Sequence, residues 1–344
     1  MPESDNDGNA LAADASQVLG VSVQLAGTVA SGRNSRVYRV RTTTGEMLAV
    51  KRFFRTRSTT RDYLQAEYAA LRFLWNHGER RVPRPISVDE PTRLLISEFV
   101  AGEPVPTASV SDADIDEAVD FLASLRALTR NPDSADLPDA SEACFTLQAI
   151  VDNIGARRLR LQREGDFGVL DGALRCFLDE FDLTVPDAVH ACTAMAEELP
   201  LARRTLSPSD FGFHNSLRRS DGRIAFIDFE HFGWDDPAKM ISDVVLHPAM
   251  GLPAGLADRF VGGMLESLDD DGTMAARLQA TEPLFGLKWC TILLNEFIAP
   301  DLARRSFAEG DKLDRSTLLR EQIVKAQNML HHVQAALRRL PHRN

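Results

Sequence analysis

Three carboxylates and an amide in the C-terminal half of the sequence have the types and spacing of a metal site. Asp228 follows the apolar strand-like run 224–227, and Glu230 comes two residues later. A carboxylate at the mouth of a buried strand needs a cation or hydrogen-bond donors. Asp210 precedes Asp228 by eighteen residues, and Asn215 follows Asp210 by five, which adds a third carboxylate and an amide oxygen. Hard oxygen ligands of this kind suit Mg²⁺, which keeps waters and phosphate oxygens as its other partners.

Two further charges fall at positions that should face the protein interior. Lys51 shares one face of the strand-like run 47–54 with apolar residues. Glu67 lies on the inward stripe of the helical pattern 61–75. Pairing would satisfy both charges, and breaking such a buried pair typically loses roughly 3–5 kcal/mol. A second interpretation fits equally well, in which Lys51 extends its ammonium to solvent and Glu67 sits at the edge of its stripe.

The elements that must position these residues suggest an α+β chain. Short β-branched runs separated by turns over 21–54 predict consecutive antiparallel strands, followed by one helix and two more strands up to residue 100. From residue 111 onwards helical patterns dominate, interrupted by a β insertion at about 204–230. We therefore expect a disordered leader and two lobes joined by a linker, with these bounds: leader 1–18, N-lobe 19–100, hinge or linker 101–110, and a helical C-lobe 111–344.

Composition narrows the class of partner. The formal net charge of −11 disfavours binding to nucleic acid or to an anionic membrane surface, which leaves small molecules as the expected partners. No run of eighteen apolar residues predicts a membrane span. The four widely spaced cysteines predict buried, reduced thiols in a cytoplasmic protein rather than a metal or redox motif. The sequence leaves the oligomeric state open.

Taken together, the motifs resemble those of the aminoglycoside phosphotransferase and choline kinase family. Lys51 and Glu67 resemble the family's strand lysine and helix glutamate, and Asp210 with Asn215 matches its D-x-x-x-x-N loop. Asp228 in FIDFE matches the metal aspartate. The later string WDDPAKMISDVV is similar to the family's Gly-Asp-Pro followed by an aspartate, here Asp236, Pro237 and Asp243. The resemblance implies a bilobal protein-kinase-like fold, with a small antiparallel-sheet N-lobe containing one helix and a larger, mostly helical C-lobe. It also implies that the N-lobe binds the nucleotide and that the C-lobe carries the catalytic loop and the acceptor site.

The resemblance also implies a reaction, the transfer of the γ-phosphate of ATP or GTP to a hydroxyl of a small molecule with Mg²⁺ as cofactor. Asp210 would orient or accept the hydroxyl proton, Asn215 and Asp228 would hold the metal, and Lys51, held by Glu67, would clamp the phosphates. The expected nucleotide contacts are the phosphate loop Ser31, Gly32, Arg33, Asn34 and Ser35, and the strand exit Glu98, Phe99 and Val100. Both stretches also fit ordinary structure, a hairpin turn and an interdomain strand.

The letters Asp-Phe-Gly, which mark the metal turn of protein kinases, occur twice in this sequence, at 210–212 and at 166–168. We expect neither to be the metal turn. Asp210 has its asparagine five residues later and so takes the catalytic-loop position, while Asp166 is expected to be a solvated loop carboxylate. The metal role then belongs to Asp228. Because only EHFGWDDP follows it, a long protein-kinase activation segment is not expected.

One departure from the family pattern keeps an alternative function open. Pro208 stands where the family has the histidine of His-Gly-Asp, and Ser207, Ser209 or His214 would have to brace the loop instead. The alternative to a small-molecule kinase is therefore a pseudokinase-like nucleotide-binding regulatory module with little or no turnover.

The acceptor is the least determined part of the site. In KWCTILLNEF, Trp289 and Glu296 share one helical face, while Lys288 and Asn295 share another. Glu230, Asn295 and Glu296 are candidates for acceptor contacts. Glu230 also fits a metal-assisting or surface role, and Asn295 and Glu296 also fit paired core residues. An aminoglycoside, a sugar, an amino alcohol or a related metabolite is compatible with the sequence.

Overall fold

An antiparallel sheet forms the body of the N-terminal lobe. The computed structural model describes residues 3–32, 34–55, 61–166, 168–192, 197–268, 272–303 and 314–340. The strands are β1 (Val23–Ser31), β2 (Ser35–Thr42), β3 (Met47–Phe53), β4 (Pro85–Asp89) and β5 (Leu94–Glu98), in the order β1-β2-β3-β5-β4. Neighbouring strands pair antiparallel throughout, and β3 lies at the centre of the sheet with Lys51 opposite Leu95.

One helix of this lobe, α2 (Tyr63–Asn76), carries Glu67 towards the sheet. It begins after Asp62, whose carboxylate accepts hydrogen bonds from the backbone N–H groups of Leu64 and Gln65. Its buried face includes Leu64, Leu71 and also Glu67. The predicted helix and its inward stripe are confirmed, and the stripe places a charge among apolar side chains.

The prediction of a disordered leader is wrong for the described part of that segment. Residues Glu3–Leu19 form helix α1, so the N-terminal lobe has two helices rather than one. Leu11 and Ala15, one helical turn apart, are fully buried in a cluster with Val40 and Ile96 of the sheet. The acidic composition of this segment concealed a short apolar face that covers one side of the sheet.

The two lobes are joined at the end of β5. After Glu98 the chain runs through Phe99 and Val100 to the short strand β6 (Glu103–Pro104), which pairs with β8 (Ser216–Arg218) of the C-terminal lobe. The predicted hinge therefore includes a strand that belongs to the larger lobe's sheet.

The C-terminal lobe is mostly helical with a β insertion. Its helices are α3 (Asp112–Leu128), α4 (Leu147–Glu164), α5 (Asp171–Ala191), α6 (Pro237–Leu246), α7 (Ala254–Leu268), α8 (Met274–Leu293) and α9 (Arg315–Arg339). Helix α8 is central and packs against α4, α5, α6 and α9. The insertion holds β7 (Thr205–Ser207), β8, β9 (Ile224–Phe226) and β10 (Gly233–Asp235), so it extends five residues beyond the predicted end. An aromatic cluster, which includes Phe121, Phe211, Phe226 and Phe229, anchors it to α3.

The cysteines follow the prediction with one exception. Cys144, Cys192 and Cys290 are buried, and burial raises the thiol pKa of Cys144 to about 11 and that of Cys192 to about 12. Cys176 is exposed on α5, which contradicts the expectation of four buried thiols. Within the described residues, the helices are all too short or too polar to span a bilayer.

Helix α1 gives a direct test of the corrected fold. Leu11→Ala should lower the free energy of unfolding by about 2–5 kcal/mol, because it leaves a cavity against the sheet. Urea denaturation followed by circular dichroism measures this change. Gln17→Ala, on the exposed face of the same helix, should stay within about 0.5 kcal/mol of the parent. Equal and negligible effects of both substitutions would mean that the helix does not pack on the sheet.

Candidate active site

Lys51 is the centre of a buried ion cluster. Its Nζ lies 2.6 Å from Glu67 Oε2, 2.7 Å from Asp228 Oδ1 and 3.0 Å from Glu230 Oε2. The strand β3 directs the lysine inward, α2 supplies Glu67, and the segment after β9 supplies the other two carboxylates. The structure thus brings together four residues that the sequence separates by up to 179 positions. The interpretation in which Lys51 extends to solvent is wrong, because the residue is 9 % exposed.

The cluster carries one positive charge against three negative charges. Burial raises the pKa of Glu67 to about 7, and burial together with the nearby Glu230 raises the pKa of Asp228. Burial alone would lower the pKa of Lys51, but Asp228, Glu67 and Glu230 hold it well above its usual value. The oxygens of the three carboxylates lie within 4.8 Å of one another. This excess of oxygen anions fits a divalent cation, which Asp228 and Glu230 could hold.

The turn that carries Asp228 is held in place by hydrogen bonds to backbone carbonyl oxygens. Asp228 has a φ of 68°, in the left-handed region that non-glycine residues rarely occupy. The guanidinium of Arg61 donates to the carbonyl oxygens of Glu230 at 3.0 Å, Phe232 at 2.7 Å and Asp139 at 2.8 Å. Arg61 was not singled out in the sequence, where it reads as an ordinary charge before α2. Through these three hydrogen bonds it fixes the turn.

The catalytic loop lies beside this turn. Asp210 Oδ1 lies 3.2 Å from His214 Nε2 and 3.5 Å from His247 Nε2, and the two imidazoles stack 4.3 Å apart. Burial would raise the pKa of Asp210, but the hydrogen bond from His214 and the nearby imidazoles hold it well below its usual value. Asp210 is therefore an ionised carboxylate, able to accept a proton in hydrogen-bonded contact.

Asn215 links the catalytic loop to the metal turn. Its Nδ2 donates to the Asp210 carbonyl oxygen at 2.9 Å, which leaves the amide oxygen as the atom that could coordinate a cation. Its carbonyl oxygen accepts from the N–H of Ile227, the residue before Asp228, at 2.9 Å. Asp210, Asn215 and Asp228 are thus joined through two hydrogen bonds, in the order expected of a D-x-x-x-x-N loop.

The loop is braced without the histidine that Pro208 replaces. Ser207 Oγ accepts from the backbone N–H of Ser209 at 3.0 Å, and Ser209 Oγ donates to the carbonyl of Ser141 at 2.9 Å. The Ser141 hydroxyl in turn lies 2.7 Å from His231 Nδ1, next to the metal turn. Ser207, Ser209 and His214 all take part in holding the loop, and Ser141 completes a link that no local motif could have indicated.

Of the two stretches predicted to bind the nucleotide, the first contacts the buried ion cluster through Asn34. The loop between β1 and β2 is closed by a hydrogen bond from Gly32 N–H to Ser35 carbonyl at 2.8 Å. Asn34 Nδ2 donates to Glu230 Oε1 at 2.7 Å. Ser31 ends β1, and Arg33 lies outside the described residues. At the strand exit, Glu98 ends β5, Phe99 lies under the Arg39 guanidinium, and Val100 is buried.

A cavity of about 540 Å³ opens beside Asp210. Its wall includes Lys288, Trp289 and Glu296, which the sequence had singled out, but not Asn295. Glu230 belongs to the lysine cluster instead of this wall. Ser209 and Asp243, which the sequence had singled out for other roles, also belong to the wall. Its remaining polar side chains come from separate elements and were missed: Ser141, Glu142, Arg157, His231, His247, Gln322 and Lys325.

Residues 27–278 match the family described as the phosphotransferase enzyme family. The chain belongs to this family. No curated protein sequence matches it.

Solved structures share the phosphotransferase fold over nearly the whole chain. A choline/ethanolamine kinase family protein from Mesorhizobium loti is 16 % identical, with a TM-score of 0.62 over 97 % of this chain and 99 % of its own. A spectinomycin phosphotransferase in complex with ADP and spectinomycin is 10 % identical, with a TM-score of 0.63 over 93 % and 98 %. The choline kinase of Streptococcus pneumoniae is 14 % identical, with a TM-score of 0.61 over 95 % and 99 %. The expected protein-kinase-like fold is confirmed.

The chain also differs from a protein kinase in the segment after Asp228. Helix α6 begins at Pro237, nine residues later, so the described chain has no long activation segment at this point. Asp236 caps α6 and forms an ion pair with Arg277 at 3.0 Å. Asp166, from the other Asp-Phe-Gly, forms a half-exposed ion pair with Arg315 at 2.7 Å, as expected for a solvated loop carboxylate.

A second buried lysine contacts the loop that carries Asp210. Lys239 on α6 is fully buried, and its Nζ lies 2.7 Å from Asp235 and 2.9 Å from Asp243. The same Nζ donates to Ser209 Oγ at 3.2 Å. Lys239 therefore connects a buried carboxylate pair to the residue that precedes Asp210.

Removing that lysine should be costly. Lys239→Met leaves two carboxylates buried without their cation and should lower the free energy of unfolding by about 3–5 kcal/mol. Arg259→Gln removes an exposed pair with Asp116 and should cost far less, because solvent screens a surface ion pair. Parallel urea titrations compare the two variants. Similar small losses for both would show that the buried cluster contributes no more than a surface pair.

The loss in free energy of unfolding caused by Lys239→Met should depend on pH. Burial raises the pKa of Asp235 to about 6, although Lys239 opposes the shift. A carboxyl with a higher pKa in the folded state destabilises the fold as pH rises from its unfolded pKa to its folded pKa. Without Lys239 the pKa of Asp235 in the folded state rises further. The loss in free energy of unfolding caused by Lys239→Met should therefore be largest near pH 8 and become smaller towards pH 5. Adding Asp235→Asn should restore part of the stability at pH 8, whereas a deficit that is constant with pH would contradict this account.

Proposed function

We propose that this chain is an ATP- and Mg²⁺-dependent phosphotransferase that moves the γ-phosphate to a hydroxyl of a small molecule, such as an aminoglycoside, a sugar, an amino alcohol or a related metabolite. One observation carries the proposal: Lys51 contacts Glu67 and Asp228 at once, beside a loop in which Asn215 hydrogen-bonds Asp210. These are the charges that phosphoryl transfer needs, and Asp210 also lines a cavity large enough for an acceptor.

The nucleotide would bind between the lobes. The Lys51 ammonium is held by Glu67 at a fixed position, where it can neutralise charge on the phosphates of ATP. The backbone around Ser31, Gly32, Arg33, Asn34 and Ser35 is proposed to cover the phosphates, and the backbone at Glu98, Phe99 and Val100 to receive the adenine, or the guanine if GTP is used. Magnesium, held by Asp228 and Asn215 with help from Glu230, would neutralise charge that develops on the transferring phosphoryl group.

The acceptor would react next to Asp210. Its hydroxyl oxygen forms a bond to the γ-phosphorus, the bond from that phosphorus to the β–γ bridging oxygen breaks, and the hydroxyl proton passes to the Asp210 carboxylate. The products are a phosphate monoester and ADP. His214 and His247 hold the carboxylate in place from one side. We place this reaction in the cytoplasm, where ATP is present and thiols stay reduced.

The duplicated Asp-Phe-Gly provides a matched test. Asp210→Asn should lower the transfer rate by about 10²- to 10⁴-fold, because the proton acceptor is lost. Asp228→Asn should abolish the magnesium-dependent thermal shift produced by ATP. Asp166→Asn, in the other Asp-Phe-Gly, should leave both quantities unchanged. A coupled ADP-release assay with a panel of hydroxyl compounds and a thermal-shift assay with and without Mg²⁺ measure them.

The same measurements separate the alternatives. Normal turnover in Asp210→Asn or Asp228→Asn would refute the assigned roles. Magnesium-dependent ATP binding without transfer to any acceptor would identify a nucleotide-binding regulatory module instead.

A further inference from the structure

The cavity beside Asp210 has a polar wall in which the carboxylates have close partners and the lysine ammonium groups have few. Its carboxylates already have partners. Glu142 accepts from both Nε and Nη2 of Arg157, and Arg157 and Lys288 hold the pKa of Glu142 at about 2 although burial opposes this. Asp243 accepts from Trp289 Nε1 at 2.9 Å and pairs with Lys239. Glu296 is also engaged in a contact. The wall therefore offers a cationic ligand few free acceptors.

The lysine ammonium groups of the wall have few anionic partners among the described residues. Lys288 is 4 % exposed, and its Nζ has one carboxylate within ion-pair distance, Glu142 Oε2 at 3.5 Å, among the residues that the structure describes. That carboxylate is shared with Arg157. A buried ammonium with three donors needs closer anionic partners than this. Lys325 lies exposed on α9 at the cavity wall, with no ion pair to any described residue.

The distribution of lysine in the sequence supports a specific role for both. Only five of the 39 basic residues are lysines, so arginine supplies nearly all of the chain's positive charge. Four lysines are described: Lys51 and Lys239 sit in the two buried ion clusters, and Lys288 and Lys325 line the cavity. Among the described residues, lysine thus occurs where a compact point charge meets the site rather than as a general surface cation.

We propose that the acceptor is a hydroxyl compound that also carries an anionic oxygen group, a phosphate or a carboxylate, which Lys288 and Lys325 bind. The proposal rests on the proposed function and specifies its substrate class. Trp289, Ile292 and Leu293 supply an apolar side for the carbon skeleton, and Asp210 receives the hydroxyl. The volume of about 540 Å³ suits a molecule of monosaccharide size. A cationic aminoglycoside or amino alcohol would instead meet two ammonium groups.

Glu142 organises this anion site. It has a φ of 59°, so its backbone occupies the left-handed region, and the residue before it hydrogen-bonds both Ser209 and His231. Such strain is retained where the surrounding structure fixes it, often at binding sites. Glu142 holds Arg157 and Lys288 at the cavity while its backbone neighbour braces the catalytic loop. The acceptor site and the catalytic loop are therefore built on one segment.

Trp289 permits a direct test that does not need turnover. The chain has three tryptophans, so 5-fluorotryptophan labelling gives one ¹⁹F signal each, and Trp289→Phe assigns the cavity signal. Titrants are inorganic phosphate and four compounds with one scaffold: glucose 6-phosphate, glucuronate, glucose and glucosamine. We expect the Trp289 signal to respond to phosphate and to at least one anionic sugar, at concentrations about tenfold lower than for glucose or glucosamine. The phosphorylated and carboxylated sugars distinguish the two anionic groups.

Variants identify the groups that bind the anion. Lys288→Met should weaken the phosphate response about tenfold or more, as expected for the loss of a charge-assisted hydrogen bond. Lys325→Gln, which is exposed and poses little risk to folding, should weaken it about twofold to fivefold. Arg320→Gln is the matched control, because it removes an exposed charge from the same helix α9 outside the cavity wall. It should leave the response unchanged.

The proposal fails if the Trp289 signal responds best to glucosamine, or if its response to phosphate is the same in Lys288→Met and Lys325→Gln as in the parent. These outcomes are separable from failure of the proposed function. Transfer to neutral or cationic sugars with no anion response would overturn the anion site and leave the kinase assignment intact. An anion response without transfer to any acceptor would overturn the kinase assignment and leave the anion site intact.

Discussion

The ammonium of Lys51, buried among three carboxylates, is the constraint on which the rest of the structure depends. Removing it would leave Glu67, Asp228 and Glu230 to repel one another in a poorly solvated space. Lys51 lies on β3 and Glu67 on α2, both in the N-terminal lobe, whereas Asp228 and Glu230 follow β9 in the C-terminal lobe. The ion pairs therefore fix the position of one lobe relative to the other. Arg61 and Asn34 extend the same connection, since both reach from the N-terminal lobe to the turn that carries Glu230.

Residues with a left-handed backbone conformation lie in the region of the cavity and the lysine cluster. The described chain has four non-glycine residues with positive φ, and three of them, Glu142, Ser209 and Asp228, lie at the cavity or the ion cluster. Each typically costs about 1–3 kcal/mol. The hydrogen bonds that join Ser141, Ser209 and His231 hold these conformations, and they also replace the brace that Pro208 cannot provide. A missing histidine is therefore not evidence of a collapsed loop in this chain.

The features of the site that could be predicted from the sequence are those that depend on the spacing of residues within one strand, helix or loop. Strand alternation placed Lys51 inward, helical spacing placed Glu67 opposite it, and the D-x-x-x-x-N spacing separated Asp210 from the other Asp-Phe-Gly. Glu142, Arg157 and His247 could not be found this way, because each comes from a different element and only the tertiary fold brings them to one wall. Asn295 was placed with the acceptor by extending a helical pattern, but α8 ends at Leu293 and a tighter turn follows. Helix α1 was missed because the acidic composition outweighed a two-residue apolar face.

The scarcity of lysine has a practical consequence for anyone who handles the protein. Amine-directed coupling to beads, dyes or crosslinkers has few targets on this chain, and one of the accessible ones, Lys325, lines the cavity next to Asp210. Such chemistry would tend to block the very opening under study. The exposed thiol of Cys176 on α5, a residue absent from the cavity wall, offers a single attachment point that leaves this opening clear.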